Sequence, residues 1–120
     1  MGNFEILCVT MNQNSFCKVS EMNIQSNVVF ANQSNCTSFQ EIELPNDHYA
    51  KMITTNTKGV GVNRNIALQY ADADICLFAD DDLRYFDNAE QVILSEFLNH
   101  PKADVIIFSF DSDKIGRAHV

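Results

Sequence analysis

Apolar residues fall into five short runs separated by polar stretches, and each run has the length of a strand. The runs cover residues 5–10, 27–32, 50–55, 75–79 and 105–110. The first two stop at polar residues, Thr10, Asn12 and Asn14 in one case and Asn32, Ser34 and Asn35 in the other. The third reads as more exposed than its neighbours. The fourth, Ile75 to Ala79, shows no alternation and reads as a strand buried on both faces. Between the runs the period changes to that of a helix. Residues 15–24 carry a weak stripe of Phe16, Val19 and Met22, with Ser15 as the predicted N-cap. Residues 62–70 place Val62, Ile66, Ala67 and Tyr70 on one face. The clearest helix is 87–99, where Val92, Ile93, Phe97 and Leu98 form the apolar face and Asp87 or Asn88 can cap. His100-Pro101 ends it. Residues 33–48 read as polar and irregular, with a turn at Pro45-Asn46, and 56–61 as a loop containing Gly59 and Gly61.

Strands alternating with helices predict an α/β domain with a largely parallel sheet. Open sheets of this kind bind ligands beyond the carboxyl ends of their strands. Here those ends carry Thr10 and Asn12, Asn32 and Ser34, Thr54 and Asn56, and then Asp80-Asp81-Asp82. Three adjacent carboxylates repel one another, because each raises the cost of ionising the next. A bound divalent cation would offset that repulsion. A solvated acidic turn is the competing reading, since Asp is common in turns for backbone reasons. The place of the triplet after an apolar strand, level with the other polar strand ends, favours the cation.

Composition narrows the partners. The length of 120 residues suits one small domain. Sixteen acids against eight Lys and Arg give a net charge of −8, which argues against non-specific binding to nucleic acid or to an anionic membrane. An anionic ligand is still admitted, because a metal can supply positive charge locally. Cys8, Cys17, Cys36 and Cys76 form no C-x-x-C pair, so zinc ligation and a disulfide framework are not expected, in keeping with a reducing cytoplasm. Cys8 and Cys76 lie in apolar runs and read as buried small hydrophobes. No signal peptide is apparent at the start, and no apolar run is long enough to span a bilayer. His48, His100 and His119 do not read as catalytic bases. The tail Ile115-Gly116-Arg117-Ala118-His119-Val120 is what the codons ATC GGA AGA GCA CAC GTC would encode, a string found in a common sequencing adapter. Residues 114–120 are therefore expected to be a non-native tail, with 1–113 the native part.

The ordered set of Thr10 and Asn12, Asn32, then Lys58-Gly59-Val60-Gly61-Val62-Asn63-Arg64-Asn65-Ile66-Ala67, then Ile75 to Leu83, resembles family 2 glycosyltransferases of the GT-A fold. The segment 61–82 is the most specific part, being similar to that family's glycine-containing loop, Arg-Asn helix and strand ending in D-x-D. The resemblance implies a Rossmann-like, mostly parallel sheet with helices on both faces, incomplete at the C-terminus. It implies transfer of a sugar from a nucleotide-diphosphate sugar to an acceptor hydroxyl on a saccharide or lipid-linked acceptor, in surface polysaccharide or glycan synthesis. It places Thr10 and Asn12 beside the nucleotide, Asn32 near the base where the family usually has an acid, and Lys58 and Arg64 near the ribose or diphosphate. Asp80 and Asp82 match the two acids of D-x-D, with Mg²⁺ or Mn²⁺ on Asp82 and Asp80, and Asp81 near the ribose. Asn65 is expected to secure a nearby turn. The setting implied is the cytoplasm or the inner face of the membrane.

The general base of the family lies in a C-terminal half, and Asp111 and Asp113 stand too close to the fifth strand to supply it. The fragment alone is therefore expected to lack transferase activity. Two other readings stay open. A receiver-like signalling domain also clusters acids at strand ends, although receivers place an acid pair after the first strand, where this chain has Met11-Asn12-Gln13. A non-catalytic domain of the same fold could bind nucleotide alone.

Overall fold

The computed structural model describes residues 4–108 and 118–119, with side-chain surroundings for 4–106. The chain divides into two compact units, Met1–Arg84 and Tyr85–Val120. The first holds β1 (Phe4–Met11), α1 (Cys17–Glu21), β2 (Asn27–Gln33), β3 (Ser38–Leu44), β4 (His48–Thr55), α2 (Val60–Gln69) and β5 (Ile75–Asp80). Its five strands form one sheet in the order β3-β4-β2-β1-β5. β1, β2, β4 and β5 run parallel, and β3 pairs antiparallel with β4 at one edge. The predicted α/β class, with a mostly parallel sheet, is the observed one.

The core follows from the two faces of the central strands. Leu7, Val29, Ala31, Ile53 and Ala67 form one cluster, with Ile66, Ala71 and Cys76 packed against it, so α2 covers this face. Strand side chains alternate, which turns Phe30 to the other face. There Phe16, just before α1, meets it edge-on with ring centroids 6.4 Å apart. Helical segments thus flank both faces. The predicted stripe on α1 does turn inward, with Met22 buried and Phe16 and Val19 half-buried. The helix itself is shorter than expected, starts after Phe16 rather than Ser15, and has no side-chain cap.

Four expectations about this unit need correction. Residues 33–48 are not irregular, because 38–44 form β3. Its residues up to Glu43 are all exposed, so the strand has no core face and no alternation to betray it. Its presence leaves β4 an inner strand, with Ala50, Met52, Ile53 and Thr54 buried, rather than the more exposed one. β5, in contrast, is not buried on both faces. It is the outer strand of the sheet, paired only with β1 among the described residues, and Phe78 is 49% exposed. On α2 the inward residues are Asn63 and Ala67 with Ile66, while Val62 and Tyr70 stay exposed. A polar residue on the inner face rotated the predicted stripe.

The β3–β4 hairpin closes through a tight turn at Pro45–Asp47, in which Asn46 (φ 63°) and Asp47 (φ 62°) are both left-handed. Short hairpins favour that handedness, and only glycine adopts it without a side-chain penalty. Asp47→Gly is expected to stabilise the fold by about 0.5–1 kcal/mol, read as a higher urea midpoint with unchanged slope.

A buried carboxylate locks this same end of the sheet, where the parallel strands begin. Glu5 is fully buried at the start of β1. Its Oε1 accepts the backbone N–H groups of Asp72 (2.6 Å) and Ala73 (2.9 Å), and its Oε2 accepts the Tyr49 hydroxyl from β4. Lys51 extends the group, lying 4.8 Å from the Tyr49 ring centroid and 3.0 Å from Asp72.

The second unit contains α3 (Ala89–Asn99) and a two-stranded ladder of β6 (Ile107–Phe108) with β7 (Ala118–His119). α3 starts two residues later than predicted. Asn88 stands at the N-cap position but makes no side-chain capping bond. Ile93 is buried, with Val92, Leu94 and Phe97 partly so. Leu98 is 81% exposed rather than on the inner face. The predicted fifth strand shortens to 107–108 within the described residues; Ser109, Phe110, Asp111 and Asp113 lie outside them. Of the tail 114–120, only 118–119 are described.

Candidate functional site

The parallel register brings the polar strand ends level. Thr10 pairs with Asn32 and Asn32 with Thr54, while Asp80 stands opposite Val9. The sheet therefore ends in a row of buried Thr10, Asn32 and Thr54, with Asp80, Asp81 and Asp82 projecting where β5 leaves it. The convergence read from the sequence is present.

Asn32 is fully buried and its amide is committed. Its Oδ1 accepts the Gln13 N–H (3.0 Å), and its Nδ2 donates to the Gln13 carbonyl (2.9 Å) and to Thr54 Oγ1 (3.1 Å). Both amide hydrogens are used, so the side chain bolts the loop after β1 to the sheet instead of offering a donor to a base. Asn12 opens that loop in the left-handed region (φ 56°) and its N–H donates to the Gln33 carbonyl at 2.9 Å. Left-handed backbone suits Asn better than most side chains, and the residue stays exposed.

Thr10 is buried and donates through Oγ1 to Asp81 Oδ2 at 2.8 Å. Asp81 is half-buried, whereas Asp80 and Asp82 are exposed. The triplet thus divides into one anchored carboxylate and two open ones. Beneath it, burial pushes the Cys8 thiol up to about 12, with Asp81, Asp80 and Asp82 raising it further and Lys18 opposing them. Cys8 is an inert core thiol. Cys76 is half-buried, its thiol also raised by burial and then by Glu5 and Asp74.

Of the two predicted cations, Arg64 reaches the triplet. Arg64 Nη2 lies 4.0 Å from Asp80 Oδ1, with both side chains largely exposed, so the pair is a solvated one of little energetic weight. Lys58 is exposed on the loop before α2. That loop is fixed by Asn63, not Asn65. Asn63 Nδ2 donates to the Thr57 carbonyl (2.9 Å) and the Gly59 carbonyl (2.8 Å), while Asn65 is exposed. Gly59 precedes α2 with φ 115°, a conformation side chains rarely take, so glycine is required there. Asn63→Ala is expected to cost about 2 kcal/mol, and Asn63→Asp more, because a carboxylate would face two carbonyls without a donor. Chemical denaturation of the two variants checks the order.

Two cations went unread in the sequence. Lys18 Nζ donates to the Asp81 carbonyl at 3.2 Å, and Arg84 Nη1 donates to the carbonyls of Ser20 (3.2 Å) and Glu21 (3.1 Å). Both act on backbone oxygens, which leave no motif. The one available hint was their spacing, three residues into a predicted helix and two beyond the triplet.

Among the described residues no three His, Cys, Asp or Glu side chains converge to enclose a metal. Magnesium, however, is commonly held by one or two carboxylates together with substrate phosphates. Two exposed carboxylates beside an anchored third fit that donor set.

Of three comparisons with known proteins, one returns a match. No curated protein and no solved structure matches the chain. The model of the family "Glycosyl transferase family 2" matches residues 33–119, from the end of β2 through Arg64 and the acidic turn to β7. With most of its length covered by that match, on a mostly parallel α/β sheet, the chain belongs to glycosyl transferase family 2.

Proposed function

We propose that the carboxyl edge of this sheet binds a nucleotide-diphosphate sugar through a divalent cation, as the donor half of a sugar transfer. The observation that carries the reading is the row Thr10, Asn32 and Thr54 ending beside two exposed carboxylates and one anchored one. Family membership supports glycosyl transfer in general. In this reading Asp82, with Asp80, holds Mg²⁺ or Mn²⁺ shared with the diphosphate. When bound, the ion stabilises negative charge on the departing diphosphate as the glycosidic bond breaks. Asp81 and Thr10 stand on the ribose side, with Asn12 at the loop that borders the nucleotide. Lys58 and Arg64 approach the diphosphate, where Arg64 would exchange its weak contact with Asp80 for a phosphate oxygen. Asn32 is assigned to shaping the floor of the site. The acceptor is a hydroxyl of a saccharide or a lipid-linked saccharide, in surface polysaccharide or glycan assembly, in the cytoplasm or at the inner face of a membrane. No helix among the described residues is long and apolar enough to cross a membrane.

The test is equilibrium binding of UDP, GDP, CDP, ADP and dTDP, each with Mn²⁺ and with EDTA. At least one is expected to bind with Mn²⁺ and to be released by EDTA. Equal binding in both conditions would remove the cation from the account, and binding of none would end it.

A further inference from the structure

The acidic turn is gripped from the side by α1. Lys18 reaches from the helix to the carbonyl of Asp81 (3.2 Å), and the same ammonium is held by Glu21 at 3.3 Å. Arg84 reaches back from the end of the turn to the carbonyls of Ser20 and Glu21. Those carbonyls belong to the last turn of a short helix, and that of Ser20 also accepts the Asn23 N–H at 3.1 Å. Two side chains therefore cross in opposite directions between one short helix and one short turn. With the Thr10 bond to Asp81, they hold both ends of residues 81–84.

Such a clasp has a physical reason to exist. Adjacent carboxylates repel, and an untethered turn would splay them into solvent. Ordering the turn in advance removes that cost from the binding step. Mutual hydrogen bonding to Glu21 is also the first cause raising the Lys18 ammonium above its ordinary range, so it stays charged.

We infer that Lys18 and Arg84 are positioning residues of the acidic turn, fixing it against α1 so that Asp80 and Asp82 meet a diphosphate-bound divalent cation in a set geometry. The inference rests on the proposed function and adds residues outside the strand edge. It makes a prediction of opposite sign to simple electrostatics. An ammonium near three carboxylates disfavours a cation, so if Lys18 mattered only as a charge, its removal would tighten Mn²⁺ binding. If it positions the turn, its removal weakens Mn²⁺ binding.

The experiment measures free Mn²⁺ by electron paramagnetic resonance as the chain is titrated with the nucleoside diphosphate that binds best among the five named above. Lys18→Met and Arg84→Met are each expected to weaken Mn²⁺-dependent binding about tenfold. Lys18→Arg, which can still donate to the Asp81 carbonyl, is expected to restore it to within about twofold. The far-UV circular dichroism of each variant is expected to match the wild type, which a general loss of folding would not allow. Unweakened or tighter Mn²⁺ binding by Lys18→Met overturns the inference, as does a weakening that Lys18→Arg fails to restore. Should Lys18→Met not fold, Arg84→Met gives the same decision. A wild-type chain that binds no Mn²⁺–nucleotide removes the proposed function and the inference together. A wild type that binds, with variants that bind equally well, removes the inference alone.

Discussion

Glu5→Leu is expected to destabilise the chain by about 3–5 kcal/mol, a large part of the total stability of a small domain. The substitution keeps the approximate volume and removes the acceptor for three donors. Two are backbone N–H groups at Asp72 and Ala73, where the chain turns from α2 into β5; the third is the Tyr49 hydroxyl. A buried donor left unpaired costs more than a hydrogen bond contributes when made, so the loss exceeds what apolar packing by Leu can return. Glu5→Gln separates the two parts of the effect. Its carbonyl can still accept both N–H groups and its amide can donate to Tyr49, so a cost of about 1 kcal/mol is expected. Urea denaturation of the three proteins is the measurement. Near-equal losses for Leu and Gln would show that the carboxylate charge, not the acceptor geometry, holds the turn.

The same group sets an alkaline limit. The Tyr49 hydroxyl is held above its ordinary range by burial first, then by its hydrogen bond to Glu5 and by the charges of Glu5, Asp72 and Glu41. A raised folded pKa means that the neutral phenol stabilises the fold below about pH 10, and that this stability is lost as pH climbs beyond it. Tyr49→Phe is expected to flatten that alkaline fall in stability.

The second large effect concerns binding. Asp82→Ala is expected to reduce Mn²⁺-dependent nucleotide binding by at least about a hundredfold while leaving the melting temperature nearly unchanged. Asp82 is exposed, so its removal leaves no cavity and no unpaired partner. Asp81→Asn is expected to act differently. Asp81 is half-buried and accepts the Thr10 hydroxyl, and an amide oxygen can still accept that bond, so a milder loss follows. A ranking with Asp81 above Asp82 would exchange their roles. Isothermal calorimetry with and without EDTA decides it.

The sequence made the parallel sheet legible because its central strands are continuous apolar runs with nowhere to lie but the interior. β3 escaped notice because an edge strand exposed on both sides carries no alternation; only its closing turn at Pro45-Asn46 could be read. β5 was placed correctly along the chain but assigned too much burial, since a continuous apolar run reads the same in an outer strand as in a central one. On α2 the error was one of rotation. Asn63 faces inward to serve the carbonyls of Thr57 and Gly59, and a pattern search that treats polar residues as outward turns the helix away from it.

The three carboxylates were visible in the sequence because they are consecutive and follow an apolar strand. The side chains that hold them were not. Lys18 and Asp81 are 63 positions apart, and Arg84 and Ser20 are 64 apart, joined through backbone oxygens that any residue would present. Glu5 is similar, a lone acid in an apolar run whose partners lie 44, 67 and 68 positions away. Contacts of that range are set by topology, and topology was the part of the fold that single strands could not specify.

The carboxyl edge of this sheet is where we propose that a metal–nucleotide diphosphate binds. Backbone amide shifts measured by nuclear magnetic resonance, on adding Mg²⁺ with the best-binding nucleoside diphosphate, test it most directly. Shifts are expected to concentrate at Thr10 to Gln13, at Lys58 and Arg64, and at Asp80 to Arg84, with Mg²⁺ alone producing little. Shifts centred on the Glu5–Tyr49 end of the sheet, or the same response without Mg²⁺, would contradict it.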